Sequence, residues 1–177
     1  HNTDCDNFIK WFIETAKQHN CDVGICMGDY HHNRNSLNIE TMNHSISALE
    51  MLGASFSEFF FILGNHDLYF KDKRTIHSIE FGKFIKGITI INKPEKIDTV
   101  WFCPWLVGNE WKQLKKKSGD YIFGHFELPN FFMNSMVKMP DNNEIQVEHL
   151  SQFGNVYSGH FHLRQSYKNV YYTGNCF

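Results

Sequence analysis

One pattern occurs four times in this chain and limits what it can fold into: an apolar run, a glycine, then a side chain able to hold a cation. The instances are Gly28-Asp29 after Asp22–Met27, Gly64-Asn65-His66 after Phe59–Leu63, Gly124-His125 after Tyr121–Phe123, and Gly159-His160 after Asn155–Ser158. Short apolar runs bounded by glycine read as buried strands. Glycine at the end of each lets the backbone turn sharply and approach a bound ion. Chemistry in sheet proteins gathers on loops at the carboxyl ends of strands, and these are such loops. His162 adds another imidazole two residues after His160.

The remaining elements give the fold class. Helices are expected over Asp6–His19, with Asp6 as N-cap, and over Leu37–Leu52, Thr75–Ile85 and Asn109–Lys117. Further strands are expected over Ile88–Ile91 and Thr99–Leu106, the latter pushed by Pro104 towards an edge or its end. Gln165–Thr173 alternates around Lys168-Asn169 as a hairpin does. Strands and helices alternate early and strands crowd together later, which describes a layered α/β domain with mixed sheets. A length of 177 residues suits one domain spanning 1–177, and 42% hydrophobic content supports a sizeable core.

Composition removes some function classes. A net charge of −2 gives no global footprint for nucleic acid. The one dense basic cluster, Lys112, Lys115, Lys116 and Lys117, reads as a solvated helix face. No apolar run approaches membrane-spanning length and no signal peptide is present, so no membrane is expected. Cysteines 5, 21, 26, 103 and 176 are odd in number and follow no framework, which points to a reducing, cytoplasmic setting without disulfides. Eleven histidines, several beside glycines at strand ends, are the compositional hint of metal.

Asp29, Asn65, His125, His160 and His162 offer a carboxylate, an amide and three imidazoles. That mixed set suits manganese, iron or zinc better than magnesium or calcium, and lacks the thiolates of structural zinc sites. Asp29 is the natural bridge between two cations, and two metals about 3.5–4 Å apart clamp a phosphoester. His66 cannot easily ligate beside Asn65. Its expected place is above the metals, steadied by Asp67, contacting the phosphate or protonating the leaving group.

These motifs resemble the calcineurin-like metallophosphoesterase signature, and the likeness covers nearly the whole chain. Gly64-Asn65-His66-Asp67-Leu68-Tyr69-Phe70-Lys71, Pro104-Trp105-Leu106 and Gly124-His125-Phe126-Glu127-Leu128 further resemble SbcD-type DNA repair nucleases, especially recombination endonuclease subunits of large phages. The resemblance implies a four-layer α/β sandwich, two mixed sheets flanked by helices. It implies Asp29 bridging two divalent ions, manganese first, with Asn65, His125 and His160 completing one site and His162 in the other. His66 and Asp67 are then the catalytic pair. The implied activity is cleavage of DNA, with an SbcC-type coiled-coil ATPase as partner, a homodimer as the typical assembly and a phage host's cytoplasm as the setting. A phosphatase or small-molecule phosphodiesterase on the same scaffold, and an inactive metal-binding scaffold for a repair ATPase, are the alternatives.

One departure matters. The family opens with a strand ending in Asp-x-His, which supplies two ligands of the His162 metal, and no such motif occurs here. His1 is not counted as a replacement, and the nuclease family continues past Cys176-Phe177 into a DNA-capping region. The expectation is a fragment lacking the first strand, holding one metal well and the second poorly. His31 and His32 are read as a solvated loop, His19, His44 and His77 as helical surface or satisfied core, and Trp101, Phe102 and Trp105 as core.

Overall fold

Phe59-Phe60-Phe61-Ile62-Leu63 is apolar at every position because both faces of its strand are covered. In the computed structural model, which describes residues 2–175, β1 (Val23–Cys26), β2 (Glu58–Ile62) and β5 (Ile88–Ile91) form a three-stranded parallel sheet with β2 in the middle. His1, Cys176 and Phe177 lie outside the described residues, and with them the expectations placed on His1 and Cys176. Phe59, Phe61 and Leu63 face α1 (Asn2–Gln18) and α2 (Ile39–Ser55), meeting Ile13, Ala16, Leu49 and Leu52. Period-2 alternation sends Phe60 and Ile62 to the opposite face, where with Ile91 they meet Phe102 of a second sheet. The Phe60 and Phe102 ring centroids are 4.5 Å apart.

The second sheet contains β6 (Glu95–Ile97), β7 (Val100–Cys103), β8 (Gly119–Gly124), β9 (Phe153–Ser158), β10 (Gln165–Tyr167) and β11 (Val170–Tyr172). Its order is β10-β11-β9-β8-β7-β6, with antiparallel strands at both edges and parallel pairs between them. The outer face, with Cys103, Ile122, Val156 and Tyr172, packs against α3 (Trp111–Leu114) and a turn of 3-10 helix over Val147–Leu150. The result is helices, sheet, sheet, then helix and loop, the layering of the expected sandwich. The second sheet is mixed, whereas the three strands of the first are all parallel.

One expected element is replaced. The helix expected over Thr75–Ile85 is instead β4 (Lys73–His77), paired with β3 (Leu68–Phe70) as a separate hairpin, followed by a 3-10 turn over Glu80–Phe84. Thr75 and Ile76 are β-branched, Gly82 interrupts the helical run, and Leu68 and His77 are buried as a cross-strand pair. Arg74 anchors this hairpin. Its guanidinium donates to both carboxylate oxygens of Glu110, at 2.7 and 2.5 Å, and to the carbonyls of Trp105 and Asn92.

The sheets converge where β1, β2, β8 and β9 end. The Trp105 N–H donates to the Leu63 carbonyl across the seam, at 2.8 Å. Gly159 is required there: a Cβ on it would lie 2.3 Å from the Met27 carbonyl oxygen of the other sheet.

Candidate metal centre

The loop after β1 carries Asp29, and that after β2 carries Asn65; His125 follows β8 and His160 follows β9. Asp29 and His160, neither of them glycine, sit at φ +58° and +84°, in the left-handed region. That costs roughly 1 kcal/mol or more each and concentrates where a site demands a particular side-chain direction. Gly64 has no room for a side chain, since a Cβ would stand 2.3 Å from Asp29 Oδ1.

Ligand-capable atoms of Asp29, His125 and His160 all lie within 4.8 Å of one another. The Asn65 Oδ1 sits among them, 3.0 Å from His125 Nε2 and 3.1 Å from His160 Nδ1. His125 Nε2 is also 3.3 Å from Asp29 Oδ2. Tautomers follow from the outer contacts. A carbonyl only accepts, so His125 Nδ1 carries its hydrogen towards Met27 O, at 2.7 Å. His160 Nε2 donates to the Glu127 carboxylate at 3.0 Å, leaving Nδ1 as a lone pair. In the neutral rings, two imidazole lone pairs therefore point at an amide oxygen and a carboxylate oxygen. Acceptors converging this closely are complementary to a cation, so these residues fit the divalent ion the donor set implies.

The electrostatics agree. Burial opposes the Asp29 charge, but His125 in its protonated form and the His66 N–H outweigh it and hold the carboxyl at about 2. His125 is buried, which disfavours its cation, yet Asp29 raises its pKa above the ordinary value. Burial lowers that of His160, with Glu127 pulling the other way. The indole of Trp105, expected as core, forms a wall here, its ring centroid 5.3 Å from His160 and 6.1 Å from His125.

His66 adjoins the cluster. Its N–H donates to Asp29 Oδ1 at 2.8 Å, and its ring stacks on His32 with centroids 5.4 Å apart. The ring Nδ1–H donates to the His32 carbonyl at 3.0 Å. The expected Asp67 support for His66 is not what the structure contains. Asp67 is fully buried and accepts four backbone N–H groups: those of Gly64 and Asp29 at 2.8 Å each, Tyr30 at 3.0 Å and His31 at 3.3 Å. Burial pushes its carboxyl up to about 6, against the pull of those N–H groups. Consecutive loop residues send their side chains in different directions, and sequence adjacency did not bring these two together. Asp67 instead holds the loop that presents Asp29.

His162 is exposed and outside the Asp29–His125–His160 group; its backbone carbonyl accepts from Asn175. His31, expected on a solvated loop, is only 3% exposed. Ser45 gives its hydroxyl hydrogen to Thr41 O, so it accepts from His31 Nε2–H at 2.8 Å, and Ser78 donates to Nδ1 at 2.7 Å. Burial lowers the His31 pKa to about 4. Glu127 was given no role from the sequence; its only signal there is a carboxylate two residues past His125.

Comparison with known proteins decides the family, because the sequence profile of calcineurin-like phosphoesterases matches residues 1–174. The chain belongs to the calcineurin-like phosphoesterases. This phosphoesterase is also similar to a protein named exonuclease subunit 1 of Enterobacteria phage T4, 27% identical over 177 residues and 94% of this chain. The match covers 51% of that relative, so the chain spans about half its length. Among the described residues, no helix is long and apolar enough to cross a membrane. Within the family frame, Asp29, Asn65, His125 and His160 are the strand-end residues that converge.

Proposed function

We propose that this domain hydrolyses phosphodiester bonds in DNA as the nuclease part of a multi-subunit exonuclease acting in recombination or repair. The observation that carries the reading is the cluster itself: two imidazole lone pairs, each fixed by an anchor on the far side of its ring, facing the Asn65 oxygen beside the Asp29 carboxylate. The relative named as an exonuclease subunit supports the choice of nuclease and of a partner protein, for which an SbcC-type ATPase is our candidate. A homodimer and a host-cytoplasm setting belong to the same reading.

Asp29, Asn65, His125 and His160 would hold one divalent ion, manganese first, with iron or zinc as alternatives. His162, together with Asp29, is proposed to hold a second. Bound ions supply the charge that polarises a phosphoryl oxygen and lowers the pKa of an attacking water. The chain supplies the rest. Met27 O and Glu127 fix the ring orientations of His125 and His160. Asp67 fixes the backbone of Asp29, and the His66 N–H fixes its carboxylate. With Nδ1–H held by the His32 carbonyl, His66 keeps Nε2 available to contact a phosphate oxygen or pass a proton to the leaving oxygen.

The test follows manganese-dependent release of nucleotides from end-labelled linear duplex DNA, with p-nitrophenyl phosphate in parallel and His66→Ala as control. Cleavage of DNA that is lost in the variant is expected. Turnover of the monoester alone would move the protein to the phosphatase branch. Silence on both, with manganese bound by calorimetry, would leave an inactive scaffold.

A further inference from the structure

The β3–β4 hairpin begins two residues after His66 and is not absorbed by the metal centre. Tyr69 and Phe70 at its tip are 45% and 40% exposed, and their rings meet edge to face with centroids 4.8 Å apart. Consecutive strand residues normally point to opposite faces. Here the pairing register shifts between Leu68 and Phe70, which lets the two neighbouring rings meet. Lys71 and Lys73 flank the rings; the Lys73 ammonium lies 5.7 Å from the Phe70 centroid. Neither lysine makes an ion pair among the described residues.

The tip is held in place. An isolated two-stranded hairpin is marginal in water. This one is tied down by buried Leu68 and His77 and by the bidentate Arg74–Glu110 pair. It presents a fixed aromatic platform with Lys71 and Lys73 on either side of Asp72, three to seven residues along the chain from His66. A span of three residues is at most about 11 Å.

Resting on the DNA reading above, we propose that this hairpin is a stacking platform for unpaired nucleotides next to the reacting phosphate. Tyr69 and Phe70 would take base faces while Lys71 and Lys73 contact the neighbouring phosphates. Exposed aromatic surface beside a net positive charge, Lys71 and Lys73 against the single carboxylate of Asp72, is complementary to single-stranded nucleic acid, whose bases offer π-faces and whose backbone is anionic. The occupant is therefore a splayed DNA strand.

The test measures binding of a fluorescein-labelled oligodeoxythymidine by anisotropy, in EDTA so that no cleavage occurs, across a salt series. Tyr69→Ala/Phe70→Ala is expected to weaken binding about 30-fold or more with the salt slope unchanged. Lys71→Gln/Lys73→Gln is expected to lower the slope by about 1.4, two single-strand phosphate contacts. Tyr69→Leu/Phe70→Leu keeps apolar bulk but no π-face, and is expected to lose affinity like the alanine variant. Wild-type affinity in the alanine or leucine variants would overturn the platform, as would an equal loss on blunt duplex DNA. A wild-type chain that binds no DNA would instead sink the underlying nuclease reading. Melting temperatures of all variants, expected to match the wild type because these side chains are exposed, separate binding from folding.

Discussion

Replacing Asp67 by asparagine separates two roles for this residue. If it served only His66, Asp67→Asn would reduce catalysis and leave stability near that of the parent, as an exposed substitution does. The structure gives it four backbone donors, two on each oxygen: Gly64 and Asp29 on Oδ2, Tyr30 and His31 on Oδ1. Asparagine keeps one acceptor oxygen and turns an NH2 towards the other two donors. Each buried N–H left without an acceptor costs about 1–3 kcal/mol, so the variant should lose about 2–6 kcal/mol. A domain of ordinary stability has about 5–15 kcal/mol in total. Urea denaturation followed by tryptophan fluorescence should show the midpoint falling by about 1 M or more at unchanged m, with slopes of about 1–3 kcal/mol/M. Manganese affinity, by calorimetry, should fall with it, because the Asp29 N–H loses its anchor. A stability within about 0.5 kcal/mol of the parent, the usual range for surface changes, would refute the reasoning and return Asp67 to His66.

Other consequences are open to measurement. His31 titrates near 4 when folded, below its ordinary 6.5, so its contribution is complete above pH 6.5 and is lost as pH falls towards 4. That loss should reach about 3 kcal/mol, and His31→Gln should flatten the acid limb of the stability profile; an unchanged limb would reject the assignment. Arg74→Lys breaks the two-pronged contact with Glu110 and should lower Tm by about 2–8 °C, as read by calorimetry; an unchanged Tm would mean the hairpin is held without it. Glu127→Gln should weaken manganese binding about 10- to 100-fold with little change in Tm, and undiminished affinity would show that Glu127 does not orient His160.

The parts of this molecule written locally were legible in the sequence. Each loop of the candidate site follows an apolar run closed by glycine, so the strands and the convergence of Asp29, Asn65, His125 and His160 could be anticipated. What could not be read depends on long-range partners or side-chain direction. His66 and Asp67 are adjacent in sequence, yet one bonds the His32 carbonyl and the other disappears under the Asp29 loop. His31 looked solvated because its partners, Ser45 and Ser78, are 14 and 47 residues away. The β3–β4 hairpin carries little alternation of burial, with only Leu68 and His77 of its strand residues buried, so Thr75–Ile85 read as helix.

Asp29 and Asn65 belong to loops of the three-stranded sheet, His125 and His160 to loops of the six-stranded one, and between the sheets lies only a thin apolar layer around Phe60 and Phe102. An ion held by all four would act as a rivet through the sandwich. Its binding energy would appear as cohesion between the two halves of the domain, and chelation would loosen the fold as well as silence it. The converse also holds: any shift of one sheet against the other would move the four donors apart and weaken that binding.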